Sequence, residues 1–259
     1  MDRTEEKNSD AWNSGAYEAW IRRFGTPAEA ARKLIAQPVK RIGELYPYFE
    51  EISGKKIINL LGSNGMKAVA LSVLGAEVTV VDFSEENEKY ALELAAEAGK
   101  SIRYVVSDVL KLPSQELSGD YDTVLMEKGI LHYFNDLEPL FIVVRDLLKE
   151  GGHLILQDFH PVSTKLISSK GTTANIRKHK VTGNYFNSEL VEREVAFTKF
   201  TESGDVTNKV YLRLWTLGEI VTAAARSGLR ILELTELPNL SSEVYDSGIP
   251  KSFILVAAK

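Results

Sequence analysis

Residues able to hold a ligand recur at one kind of place in this 259-residue chain, just past short apolar runs. Gly62-Ser63-Asn64-Gly65 follows the run Ile57 to Leu61, and Asp82 follows Val78 to Val81. Asp108, Glu127 and Asp158 stand at or near the ends of three later runs. A glycine turn opening a helix brings backbone N–H groups and a helix N-terminus toward polar ligand atoms. An acid 20 residues after Gly62 is placed to accept hydrogen bonds from two ribose hydroxyls. Two of the four histidines, His132 and His160, lie just beyond such ends, where an imidazole can move a proton near neutral pH. His160 follows Asp158 by two residues, so along an extended segment both face one way, as an oriented base or as two metal ligands. Metal sites usually need three or more ligands, so no metal is expected.

The elements that position these residues alternate. Apolar residues at helical spacing (Met66, Val69, Ala70, Val73, Leu74) connect the first run to the second, and a helix from Ser84 to about Gly99 connects the second to Ile102 to Val106. Tyr121 to Met126 is a fourth strand, Asp136 caps a helix through Leu148, and His153 to Leu156 is a fifth strand. Strands 20 to 30 residues apart with helices between them require parallel pairing and right-handed crossovers. This is a doubly wound sheet, whose ligands bind at the carboxyl ends of its strands.

Composition bounds the rest. Apolar content of 44% and charged content of 26% belong to a globular protein. A net charge of −5 argues against a general nucleic-acid binder. Zero cysteines exclude disulfides, thiolate nucleophiles and cysteine zinc sites. Residues 1–10 are charged without an apolar core, unlike a signal peptide, and no apolar run reaches the ~18 residues that span a bilayer. A cytoplasmic protein without membrane partners is expected. Oligomeric state is not readable.

With these residues in hand, positions 55–160 resemble the core of the class I S-adenosylmethionine-dependent methyltransferases, in motif order and spacing. The resemblance implies a seven-stranded, mostly parallel, Rossmann-like sheet. It implies S-adenosylmethionine as cofactor, S-adenosylhomocysteine as product and a small-molecule acceptor. By that likeness Leu61, Gly62, Ser63, Asn64 and Gly65 hold the methionine part, Asp82 the ribose, Phe83 the adenine face, and Asp108 with Val109 the adenine edge. Glu127 and Lys128, at the end of strand four, flank the methionine, and Tyr17 joins the cofactor set from an N-terminal lid. His160 and His132 are the candidate bases. Leu147-Leu148-Lys149-Glu150-Gly151-Gly152 resembles the turn before strand five. One departure stands out. The family's first loop usually reads acid-x-Gly-x-Gly-x-Gly. Aligned on Gly65, this chain has Asn59, Leu61 and Ser63 at the acid and first two glycines, so a loop shifted in register around Gly62 is expected. Two rivals remain: a nicotinamide-dependent oxidoreductase, which would not predict the acid after strand three, and a non-catalytic cofactor-binding or interaction protein.

Residues 1–54 read as a helical lid or cap, 55–161 with 215–259 as the core, and 162–214 as an inserted substrate cover. Thr26-Pro27-Ala28-Glu29 is a capping box, and Pro38 opens another helix running toward Phe49. Tyr17, Trp20 and Phe24 share one helical face, with Trp12 ahead of them. In the insertion, Val191 to Phe200 and Val206 to Trp215 flank Ser203-Gly204-Asp205 as a β-hairpin, and Arg177-Lys178-His179-Lys180 reads as a solvated loop able to meet an anion. Thr216-Leu217-Gly218-Glu219 caps a last helix that Gly228 closes, before strands Leu229 to Leu237 and Phe253 to Ala258.

Overall fold

The computed structural model describes residues 15–170, 178–194, 209–238 and 248–259. Among the described residues three helices come first: α1 (Ala16–Phe24), α2 (Pro27–Ala36) and α3 (Pro38–Ile42). Thr26 and Glu29 form the expected capping box, each side chain satisfying the other's backbone N–H. The helix from Pro38 is shorter than expected. It breaks at Gly43, which carries a φ of +66°, and continues as a 3-10 turn to Tyr48.

The alternating unit follows: β1 (Lys56–Leu60), α4 (Met66–Val73), β2 (Glu77–Asp82), α5 (Glu85–Glu97), β3 (Arg103–Val106), β4 (Tyr121–Met126), α6 (Glu138–Leu147) and β5 (Leu148–Phe159). Ser84 caps α5 by accepting from the Asn87 amide. Asp136 accepts from the Glu138 amide one position before the N-cap, so it assists the start of α6 without being its N-cap. β5 reaches further than its apolar run, taking in the Gly151-Gly152 turn as an irregularity against β4 and carrying Asp158 inside the strand.

The insertion holds β6 (Ile167–Lys170) paired with β7 (Lys178–Val181), and β8 (Leu190–Glu194) paired with β9 (Lys209–Arg213), both antiparallel. The second pair has the antiparallel pairing that the expected hairpin requires, over Leu190–Glu194 and Lys209–Arg213; the residues between, Ser203 to Asp205 among them, lie outside the described residues. The first pair was not expected. It puts Lys178 to Lys180 in a strand where a loop was read, and Arg177 lies outside the described residues. Helix α7 (Leu217–Arg226) starts at the second capping box, and β10 (Arg230–Pro238) and β11 (Pro250–Ala258) end the chain.

The sheet order is β10-β11-β5-β4-β1-β2-β3, with β11 antiparallel to both neighbours and the four pairings from β3 to β5 all parallel. Alternating side chains sort to two cores. Ile57, Val80, Leu125 and Ile155 pack under α1 to α5, while Ile58, Val81, Val124 and Leu154 pack under α6 and α7. Register aligns the strand ends: Leu60 lies beside Val81 and Met126, Asp82 beside Val106, and Met126 beside Leu156. The glycine loop, Asp82, Asp108, Glu127 and Asp158 therefore share one edge. Among the described residues, no helix is long and apolar enough to cross a membrane.

Candidate active site

The loop after β1 keeps a glycine-like backbone without the glycines. Left-handed φ angles fall at Leu61 (+49°), Ser63 (+48°) and Gly65 (+69°), and not at Gly62. These are the three alternating positions of the motif, so the register is unshifted, contrary to expectation. A non-glycine residue held there costs about 1–2 kcal/mol, and the surrounding contacts hold both. Gly62 is needed for another reason: a Cβ there would meet Asn59 Oδ1 at 2.7 Å. Asn59, at the motif's acid position, is fully buried; its amide donates to the Leu125 carbonyl and its Oδ1 has no partner.

Asp82 ends β2 and is 7% exposed. Its Oδ2 accepts from the Ser63 amide at 3.0 Å, tying the acid to the loop, and its Oδ1 accepts from the Ser84 amide and from Asn87 Nδ2. Burial pushes its pKa up, and these N–H donors oppose the shift. A carboxylate offers about four acceptor sites. Three are filled from within, so accepting from two ribose hydroxyls at once would require an internal donor to yield.

Asn87 carries no motif and was missed in the sequence. It is buried in the first turn of α5, gives its amide N–H to Asp82 and takes a 2.8 Å hydrogen bond from the Trp20 indole. A polar residue on the buried face of an amphipathic helix was the available signal. Through it, α1 is joined to the acid and the loop.

Tyr17, expected with the cofactor, is not brought to this group. Its hydroxyl donates to Glu93 at 2.5 Å, its ring packs on Tyr90 and Lys89, and its amide donates to Glu86. These contacts dock α1 on α5 and raise the phenol pKa to about 12, chiefly through the Glu93 hydrogen bond.

Asp108 caps the 3-10 turn Val109–Lys111, accepting from the Leu110 amide at 3.0 Å and pairing with Lys111 at 2.7 Å. Val109 beside it is buried. Phe83 is half-buried next to Asp82. Glu127 pairs with Lys67 from the first turn of α4, and Lys128 with Glu44 at 3.5 Å.

The two histidines differ in what holds their rings. Both ring nitrogens of His160 are engaged: Nδ1 accepts from the Val162 amide, so the proton sits on Nε2 and is donated to Glu236 at 2.6 Å. Its ring stands edge-on to Phe253 and is 3% exposed. It has no lone pair left for a substrate proton, which corrects its reading as a base. Asp158 does not orient it either, because that carboxylate accepts from the Gly129, Leu131 and Phe159 amides. Those bonds shape the loop that carries His132, which the Trp215 indole also holds through the Leu131 carbonyl at 3.0 Å. His132 is half-buried between Tyr133 and Gly129, with Phe159 close by. Burial lowers its pKa and the Asp158 charge partly opposes this, so the ring is neutral and able to take up a proton. Among the described residues, no cluster of three metal-binding side chains occurs.

A family model described as a methyltransferase domain matches residues 61–156. The chain carries a methyltransferase domain. The chain is 26% identical over 152 residues to a ubiquinone biosynthesis O-methyltransferase of Idiomarina loihiensis, covering 59% of this chain and 62% of the relative. It is 29% identical over 106 residues to the enzyme of the same name from Xanthomonas euvesicatoria, covering 41% and 44%. The chain thus matches less than two thirds of either relative's length. In fold, it is similar to an S-adenosylmethionine-dependent methyltransferase from Mesorhizobium loti, with a TM-score of 0.63 at 23% identity over 83% of this chain and 97% of that one. It is similar as well to magnesium protoporphyrin IX methyltransferase from Synechocystis, solved with S-adenosylhomocysteine, with a TM-score of 0.59 at 16% identity over 99% of both chains. The sheet of the methyltransferase domain is the Rossmann-like one these structures share.

Proposed function

We propose that this protein moves the methyl group of S-adenosylmethionine to a small-molecule acceptor. The observation that supports this most is the unit Ser63–Asp82–Asn87, which joins the loop after β1 to the acid ending β2 inside the methyltransferase domain. The residues present fit the cofactor. Left-handed residues at Leu61, Ser63 and Gly65 fold the loop tightly at the start of α4, and acids stand at the ends of β2 and β3 to accept from the ribose and the adenine amino group. When bound, S-adenosylmethionine supplies a sulfonium methyl whose leaving group is a neutral thioether.

The chain's own residues then have three tasks. The loop from Leu61 to Gly65, with Asp82, Phe83, Asp108 and Val109, holds the cofactor, while Glu127, fixed by Lys67, borders its methionine end. Helices α1 to α3 and the inserted strands cover the edge and exclude water, so that positioning supplies much of the rate. His132, neutral and half-buried, takes the acceptor's proton onto a ring nitrogen. A screen of hydroxyl, amine and thiol metabolites for release of S-adenosylhomocysteine tests the proposal; no release from any acceptor, with the cofactor bound, would favour a binding protein.

A further inference from the structure

The loop from Gly129 to Asn135, which carries His132, is held from two sides. On one, Asp158 takes the Gly129 and Leu131 amides. On the other stands Arg213-Leu214-Trp215, the run in which β9 ends. The Trp215 indole donates to the Leu131 carbonyl at 3.0 Å, beside the loop's own Phe134 amide, and Arg213 Nη1 donates to the Asn135 carbonyl at 2.5 Å. The Arg213 guanidinium also lies 3.6 Å from the indole ring centroid and pairs with Glu219 at 3.1 Å, which fixes the direction of the indole. Between these two residues, the Leu214 carbonyl accepts from Lys165 Nζ at 2.5 Å, and the same ammonium donates to the Asn187 carbonyl at 2.7 Å. Lys165 lies in the single π-helical turn Val162–Leu166 that follows β5, and it is buried. Burial lowers its pKa, and the Glu219 charge opposes this. One ammonium thus closes the start of the insertion on its end, directly behind the residue that donates to the His132 loop.

We infer that Trp215 and Lys165 are positioning residues for His132, so that the insertion sets where the base stands as well as covering the edge. Two features point to this over plain packing. Burying an ammonium is costly, and a methionine of similar length would fill the same space without that cost, so apolar packing does not call for lysine at position 165. Leu131, the residue before the base, has its N–H taken by Asp158 and its carbonyl by Trp215, so side chains from two other parts of the chain fix it. The inference rests on the reading of His132 as the base; the brace around its loop does not.

The test titrates the four imidazoles of the full chain by NMR on isotope-labelled histidine, with the His132 signal assigned by its loss in His132→Asn. Trp215→Phe removes the indole N–H and keeps an aromatic ring; Lys165→Met removes the ammonium. Both should move the His132 pKa up toward the exposed value of about 6.5, with S-adenosylhomocysteine affinity within about twofold of wild type. With an acceptor from the metabolite screen, both should lower kcat at least about tenfold, since a misplacement of about 1 Å can cost about 10²-fold. In the His132→Asn background, Trp215→Phe should cost no more than about twofold further, because it acts only through the imidazole. Arg226→Gln, which breaks an exposed pair with Glu138, should leave every one of these readouts unchanged. Trp215→Phe keeps the test valid should Lys165→Met fold poorly. An unmoved His132 pKa in folded Trp215→Phe would overturn the inference, and so would an equal loss of turnover with and without His132. A shifted pKa alongside full turnover in His132→Asn would overturn the reading of His132 as the base and leave the brace standing.

Discussion

The Ser63 amide donates to Asp82 Oδ2 at 3.0 Å, so the loop after β1 and the acid that ends β2 are one hydrogen-bonded unit. Their separation in sequence is the length of a helix and two turns, and parallel pairing of β1 with β2 closes it. Asp82 thereby fixes the loop and keeps little capacity to spare.

Replacing Asp82 should act twice. Asp82→Ala should weaken S-adenosylhomocysteine roughly tenfold to several hundredfold, at about 1.5–3 kcal/mol per hydrogen bond to a charged group. It should also lower the melting temperature, because the half-buried Ser63 donor and the buried Ser84 and Asn87 donors lose their acceptor. Unchanged affinity in a folded Asp82→Ala protein would place the cofactor elsewhere.

Loop conformation makes a prediction of opposite signs. Gly65→Ala should destabilise by at least about 1–2 kcal/mol, since a Cβ there adopts a φ of +69° and meets the Ala91 Cβ at 2.6 Å. Ser63→Gly releases a left-handed φ and should leave stability unchanged or raise it by up to about 1 kcal/mol. Chemical denaturation measures both; a clear loss in Ser63→Gly would mean that the serine contributes more than its backbone.

The sheet was legible because each strand is a short apolar run followed by a turn or an acid, and the register then had to bring those ends together. Two things were not. The left-handed backbone at Leu61 and Ser63 is imposed by neighbours such as Asn59 and Asp82, and residue type alone argued for a shifted loop. The roles of His132 and His160 depend on who occupies their ring nitrogens: Val162 and Glu236 claim His160, partners that nothing in the sequence near Pro161 announces. Tyr17 misled for the same reason, since Glu93, 76 residues away, takes its hydroxyl.

His132 and His160 should separate cleanly. His132→Asn should slow methyl transfer by about 10²-fold or more and spare S-adenosylhomocysteine affinity. The acid limb of the wild-type pH–rate profile should fall below the usual histidine pKa of about 6.5, in the direction burial moves it. By linkage, a histidine whose folded pKa is depressed contributes stability above the unfolded pKa and loses it as pH falls below about 6.5. His160→Ala should instead destabilise by about 1–3 kcal/mol, leaving the Val162 amide unpaired, with turnover per folded molecule unchanged. Turnover lost in His160→Ala and kept in His132→Asn would reverse the assignment.

Helix α1 should respond to the cofactor, because Trp20 is joined to Asp82 through Asn87. Hydrogen exchange around Tyr17 and Trp20 should slow when S-adenosylhomocysteine binds. Trp20→Phe, which removes the indole donor, should reduce that protection. Equal exchange with and without ligand would make α1 ordinary packing and not a lid.

Calorimetry on the full chain with S-adenosylmethionine, S-adenosylhomocysteine and NAD addresses the cofactor assignment itself. Saturable binding of the first two at one site, abolished or weakened at least tenfold by Asp82→Ala, is the expected result. Binding of NAD alone would contradict it and return the β1–β2 unit to a nicotinamide enzyme.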